Sequence, residues 1–374
     1  MSTQAQQNRY FDALDQIIQP IRAAAYPRPL DRLRALLDAL DNPQARFEST
    51  VVAGSVGKTS VCHALTAEKA GHGRIALYTS PHLHSFRERF AIDGAIISMA
   101  DFTAAWKRIR RAAARLGAAD FSTFEWATAL AFAYFTDMDV DHAVLEIGLG
   151  GRFDAVNLAP HSAAYITPIE LEHAAMLGGT LERIAWHKAG VIRPREVVFV
   201  APQPAEVMAV IAQEAQMQGA SLQPWRDLPT VSVPGRLERA PNGVLIDGAH
   251  TPNGLRRLLA HLPDGARIAV GMLRDKRTPE LLMALDRAGF HLILTTAPGS
   301  RGLPAADLAA HPFRAASVEV MPSLNAALDA HPDAVVGSLR MAAAARERYG
   351  MVSPEMSAEA ARTRALIDAK NAAL

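Results

Sequence analysis

The sequence predicts an α/β protein: a doubly wound, mostly parallel sheet domain, followed by a smaller Rossmann-like α/β domain. Three observations carry this prediction. Short buried-strand segments alternate with helical segments along most of the chain. A glycine-rich loop stands between one of those strands and the helix after it. A proline-rich stretch then interrupts the alternation before it resumes.

Residues 10–40 carry Leu, Ile and Ala at helical spacing, with turn signals at Pro27 and Pro29, and fit two helices. The run 49–53 reads as a buried strand and leads through the glycine loop into a helix over 61–70. Further strands are predicted at 74–79, 141–147, 163–167 and 197–201, with helices over 100–116, 124–136 and 181–189. From Pro194 to Pro234 the chain is proline-rich, interrupted by a helical stretch over 205–218. This places the domains at 1–233 and 234–374. In the second domain strands are predicted at 244–247, 267–270, 291–295 and 334–336, with helices between them.

The bulk properties narrow the class. The chain has 374 residues, enough for two domains and possible for three. Lys plus Arg is 39 against 38 for Asp plus Glu, a balance that gives no general attraction to nucleic acid or to an anionic membrane. The single cysteine, Cys62, cannot form an internal disulfide and reads as a small buried apolar residue. The polar first ten residues lack the apolar stretch of a signal peptide, and no run approaches the roughly 18 apolar residues of a membrane span. The expectation is a cytoplasmic protein, a monomer or small homo-oligomer.

The strongest chemical signal is Gly54-Ser55-Val56-Gly57-Lys58-Thr59-Ser60. Backbone N–H groups of such a turn point at phosphate oxygens, and the following helix adds its positive end. Lys58 supplies a full charge; Thr59 and Ser60 supply hydroxyls for phosphate or Mg²⁺. Val52 stands where the longer phosphate-loop pattern has its first glycine, so a plain strand-to-helix turn with a surface lysine is the alternative. Thr79-Ser80-Pro81-His82-Leu83 follows a predicted strand, where open α/β sheets place ligands, and Ser80 can reach metal or phosphate there. Glu146 ends another predicted strand beside Gly148, Gly150 and Gly151, a placement suited to Mg²⁺. His173 and the His187-Lys188 pair add potential ligands. In the second domain, Arg236 in Pro234-Gly235-Arg236 can meet phosphate, and Asp247 can accept from a ribose or an amine. Each of these has a bland reading as a loop residue, but the polar clusters all fall at strand ends.

Taken together, these stretches resemble the folylpolyglutamate synthase and dihydrofolate synthase family, within the Mur ligases. The glycine loop is similar to the family's G-T-N-G-K-G-S. Ser80-Pro81-His82-Leu83 with Phe86, Glu88 and Arg89 resembles S-P-H-L…F-x-E-R. Val144 through Ala155 with Asn157 resembles V-L-E-V-G-L-G-G-R-x-D-A-T-N, and 181–190 resembles T-L-E-x-I-A-x-E-K-A-G. Pro234-Gly235-Arg236 and 247–253 resemble P-G-R and D-G-A-H-N-P. Gly271 through Lys276 and Gly337-Ser338-Leu339 echo C-terminal motifs. Val56 and Thr251 differ from the family pattern, and the segment from Lys188 to Arg236 is short.

The resemblance implies an ADP-forming ligase that joins a small-molecule carboxylate to an amino acid, glutamate above all, through an acyl phosphate. It implies ATP and Mg²⁺. Gly54, Gly57, Lys58, Thr59 and Ser60 would hold the phosphates, and Ser80, Glu146 and His173 the metal. Lys188 would be carbamylated, and Lys58, Lys188 and His173 would serve the chemistry. Arg236, Asp247 and His250 would contact the nucleotide from the second domain. Two other readings stay open: a ligase for a non-folate acid, and a non-catalytic nucleotide-binding homologue.

Overall fold

In a computed structural model, residues 4–20, 27, 29–117, 120–274, 279–286 and 289–372 are described. Asp275 and Lys276 of the Gly271–Lys276 motif lie outside them. The chain forms two compact units. One holds the stretch up to His82, Phe86 to Val231, and the last residues from Ala369. The other holds Leu83–Ser85 and Ser232–Asp368.

The first unit is built on eight strands: β1 (Glu48–Ala53), β2 (Ile75–Tyr78), β3 (Phe90–Ile92), β4 (Ala95–Ile96), β5 (His142–Glu146), β6 (Ala163–Ile166), β7 (Val197–Val200) and β8 (Ser221–Pro224). Their order is β4-β3-β2-β5-β1-β6-β7-β8, parallel from β2 to β8, with β3 and β4 antiparallel at one edge. The chain leaves β1 to one side for β2 and β5, then crosses to the other for β6, so β1 lies where the winding reverses. Open α/β sheets bind ligands outside the carboxyl ends of the strands at such a point. Strands β1, β2 and β5 are buried along nearly their whole length because both faces are covered. Val52, Leu77, Val144 and Tyr165 form a core with Cys62 and Leu65 of the helix Lys58–Lys69, so Cys62 is a packing residue. The helix Thr123–Asp137 is buried along most of its length and starts at a capping box in which Ser122 and Glu125 satisfy each other's backbone N–H.

The second unit adds β9 (Glu238–Arg239), β10 (Leu245–Ile246), β11 (Arg267–Val270), β12 (His291–Leu294), β13 (Ser317–Val320) and β14 (Ala334–Val336), in the order β13-β12-β11-β14-β10-β9. Alternate residues go to opposite faces, as the two-residue strand period demands. Leu245, Ile268, Val270, Leu292, Leu294 and Val336 join one core; Ile246, Ala269, Ile293 and Val335 join the other. The sheet is therefore covered on both sides, as the Rossmann-like expectation requires.

Strands β3, β4, β8, β9 and β13 lie outside the strand segments expected from the sequence. Strand β8 lies in the stretch read as proline-rich loop. Among the described residues it pairs with β7 alone, so Pro224, which has no N–H to donate, sits at the edge of the sheet. Strand β13 is largely exposed, and its Ser-Val-Glu-Val alternation covers only four residues. Among the described residues, no helix is long and apolar enough to cross a membrane.

Candidate active site

The glycine loop takes its shape from the segment after β6. The Ser55 and Val56 N–H groups both donate to the Pro168 carbonyl, at 3.0 and 3.3 Å. The Ser55 hydroxyl donates to the Glu170 carbonyl at 3.2 Å and accepts from the Glu170 N–H at 3.0 Å. Gly54 has φ +138°, and a Cβ there would lie 1.9 Å from Thr167 Oγ1 and 2.9 Å from the Thr167 carbonyl oxygen. Gly57, at φ 86°, caps the helix Lys58–Lys69. Both glycines therefore hold backbone that a side chain would strain. Gly54→Ala is expected to destabilise the fold by about 2–4 kcal/mol, from overpacking and backbone strain together. Urea denaturation checks this; a loss below about 0.5 kcal/mol, the scatter of ordinary surface changes, would show that the loop relaxes freely.

Two lysines converge on this loop. Lys58 Nζ donates to the carbonyls of Gly54 (3.0 Å) and Ser55 (3.3 Å). Lys188, buried in the last turn of the helix Leu181–Ala189, donates to the same Gly54 carbonyl at 2.6 Å. Burial first, and then the nearby Lys58 charge, push the Lys188 amine down to about 7 against the pull of Glu172 and Asp154. Asp154 is pushed up to about 7 by its own burial, opposed by backbone donors that include Leu149 and Val156 N–H, each at 2.9 Å.

Glu146 ends β5 directly beside Val52 of β1. Its carboxylate accepts from the Thr59 hydroxyl at 3.0 and 3.1 Å and from the Ser80 N–H at 3.1 Å. Lys58, Thr59, Ser80, Glu146 and Lys188 are thus joined through the Gly54–Thr59 loop. Ser80 meets Glu146 through its backbone, and its peptide bond to Pro81 is cis. His173 lies beside Glu172, Nε2 to Oε1 3.7 Å, at a left-handed backbone position capping the short helix Ala174–Leu177. Among the described residues, no group of three or more His, Cys, Asp and Glu side chains could hold a metal ion. One buried carboxylate among hydroxyls still suits Mg²⁺, which binds through one or two carboxylates, substrate phosphates and retained waters.

In the second unit Arg236, Asp247 and His250 are gathered in one loop cluster. The Gly248 N–H donates to the Gly235 carbonyl at 2.9 Å. Asp247 accepts from the Leu237 N–H at 2.8 Å, and burial raises its carboxyl while Arg236 pulls it back. A Cβ on Gly248 would lie 2.9 Å from an Arg236 guanidinium nitrogen. His250 Nδ1 is 2.8 Å from the Gly248 carbonyl. Thr251 caps the helix Pro252–Leu259, accepting from the Gly254 N–H.

No family model matches the chain. Over 210 residues it is 40% identical to the dihydrofolate synthase/folylpolyglutamate synthase of Mycobacterium tuberculosis, covering 52% of this chain and 43% of that protein. Over 204 residues it is 33% identical to the Bacillus subtilis protein of the same description, covering 53% and 47%. The solved M. tuberculosis folylpolyglutamate synthase, complexed with ADP and AMPPCP, superposes with a TM-score of 0.80 at 30% identity, over 92% of this chain and 98% of that one. The chain belongs to the folylpolyglutamate and dihydrofolate synthase family. A further family structure, the Yersinia pestis bifunctional synthase complexed with AMPPNP and a Mn ion, superposes with a TM-score of 0.78 at 26% identity, over 93% and 99%. In sequence, the chain spans about half the length of the curated synthases it matches.

Thr167, Pro168, Asp154 and Asn157 of this synthase-family chain hold the site together, yet the sequence reading gave them no role. Pro168 acts through a carbonyl, which leaves no side-chain signature. Asp154 and Asn157 stand in a motif the resemblance quoted, and that proximity was the available signal.

Proposed function

We propose that the chain is an ATP-dependent, ADP-forming ligase that joins a folate-type carboxylate to glutamate. The observation that carries this reading is Lys58, Thr59, Glu146 and Lys188 around one glycine loop at the reversal point of a parallel sheet. The N–H groups at Gly57 and in the first turn of the helix behind it favour phosphate oxygens. Lys58, now folded onto two loop carbonyls, turns its ammonium to the phosphates when they arrive. The substrate carboxylate oxygen attacks the γ-phosphorus, and the bond to the ADP oxygen breaks. The glutamate amine then attacks the acyl carbon; phosphate leaves, the amine gives up a proton, and an amide remains. Glu146 with Ser80, His173 and a carbamylated Lys188 would hold Mg²⁺, which would offset the charge on the phosphates. Positioning and charge stabilisation carry most of such a transfer. We assign Arg236, Asp247 and His250 to nucleotide contacts made by the second unit.

The reading is tested by calorimetry with Mg-ATP. Lys58→Ala removes a charge-assisted phosphate contact of about 1.5–3 kcal/mol, so affinity is expected to fall about 10–150-fold. Unchanged ATP affinity in the variant would exclude this loop as the nucleotide site.

A further inference from the structure

We propose that Asn157 is a positioning residue for Lys188, an inference that rests on the ligase reading only for its effect on turnover. Asn157 lies in the short 3-10 turn Ala155–Leu158 and is buried. Its side chain spans three segments. Nδ2 donates to the Gly190 carbonyl at 3.0 Å and to the Arg152 carbonyl at 3.4 Å. Oδ1 accepts from Arg193 Nη2 at 3.0 Å. A guanidinium can only donate, so Arg193 dictates which end of the amide faces it and leaves the NH₂ for the two carbonyls.

Gly190 caps the helix Leu181–Ala189, whose last turn carries Lys188. That helix end has almost no room to shift. The Arg152 N–H donates to the His187 carbonyl at 2.7 Å. A Cβ on Gly151 would lie 2.8 Å from the His187 carbonyl oxygen, and one on Gly190 would lie 2.3 Å from Arg152 Cβ. The helix therefore packs backbone to backbone against the loop that follows Glu146. Asn157 ties the two together from the side, satisfying a carbonyl at the end of the helix that has no partner within it. Lys188 Nζ meets the Gly54 carbonyl at 2.6 Å from this anchored turn.

Asn157→Asp keeps the shape and the Arg193 contact. It replaces the NH₂ with an oxygen facing the Gly190 carbonyl, two acceptors that repel at this distance. The helix end must move, and Lys188 with it. Lysine side-chain NMR on the full chain, labelled at Nζ and Cε and assigned with Lys188→Met, reads the geometry directly. The Lys188 resonance is expected to move in Asn157→Asp while that of Lys58 stays. Turnover is expected to fall about 100-fold, with the KM for ATP within about twofold, since a displaced catalytic group loses rate rather than binding. Should Asn157→Asp fail to fold, Asn157→Ser is read in the same way. An unmoved Lys188 resonance overturns the proposal. A wild-type protein that ligates no acid to any amine sinks the ligase reading alone, because the resonance still decides the role of Asn157.

Discussion

Lys188→Ala is expected to abolish most turnover while ATP still binds through Lys58. The amine is buried against the Gly54 carbonyl and titrates near 7, displaced first by desolvation and then by the charge of Lys58. Above that pH the neutral amine would add to CO₂, losing a proton to become a carbamate. An ammonium at this place would repel Mg²⁺; a carbamate supplies the oxygen ligands that Mg²⁺ prefers. Turnover should therefore fall as pH drops through about 7, where the amine takes up its proton, and should depend on dissolved CO₂ or bicarbonate. A small carboxylic acid filling the gap in Lys188→Ala should restore part of the rate. Normal turnover in Lys188→Ala would remove the carbamate from the account and leave Lys188 as a structural tie to the loop.

Glu146→Gln is expected to lower turnover by at least about 100-fold, the scale of several kcal/mol of transition-state charge stabilisation. The substitution keeps the size of the side chain at the end of β5. It also keeps an oxygen able to accept from the Thr59 hydroxyl and the Ser80 N–H, so the loop should stay closed. What it removes is the buried negative charge. A steady-state assay at saturating ATP and Mg²⁺, paired with a thermal melt, separates the two effects. Wild-type turnover in the variant would take Glu146 out of the metal site.

Much of this arrangement was legible because it follows from period and placement. Buried strands such as β2 announce themselves as apolar runs, and Lys58 and Glu146 stand in the loop after one strand and at the end of another, where parallel sheets gather ligands. Other parts were hidden for physical reasons. The Pro168 carbonyl that shapes the loop and the Gly54 carbonyl that receives Lys188 are backbone groups, the same at every residue. The assignment of Leu83–Ser85 to the second unit depends on pairs far apart in the chain. His84 contacts Glu347 at 3.1 Å and Arg346 at 2.9 Å, partners that no local pattern connects. Strand β8 carries one apolar residue, Leu222, and β13 alternates over only four residues; both lie at exposed edges of their sheets.

The central claim is that this site couples ATP cleavage to the joining of an acid and an amine. The most direct measurement is ADP release with Mg-ATP and glutamate, run across a panel of carboxylic acids that includes dihydropteroate and tetrahydrofolate. Product mass is read in parallel. The account predicts ADP and amide in equal amounts, formed only when both an acid and glutamate are present. ADP released without an acid, or no amide from any acid in a protein that binds ATP through Lys58, would contradict it.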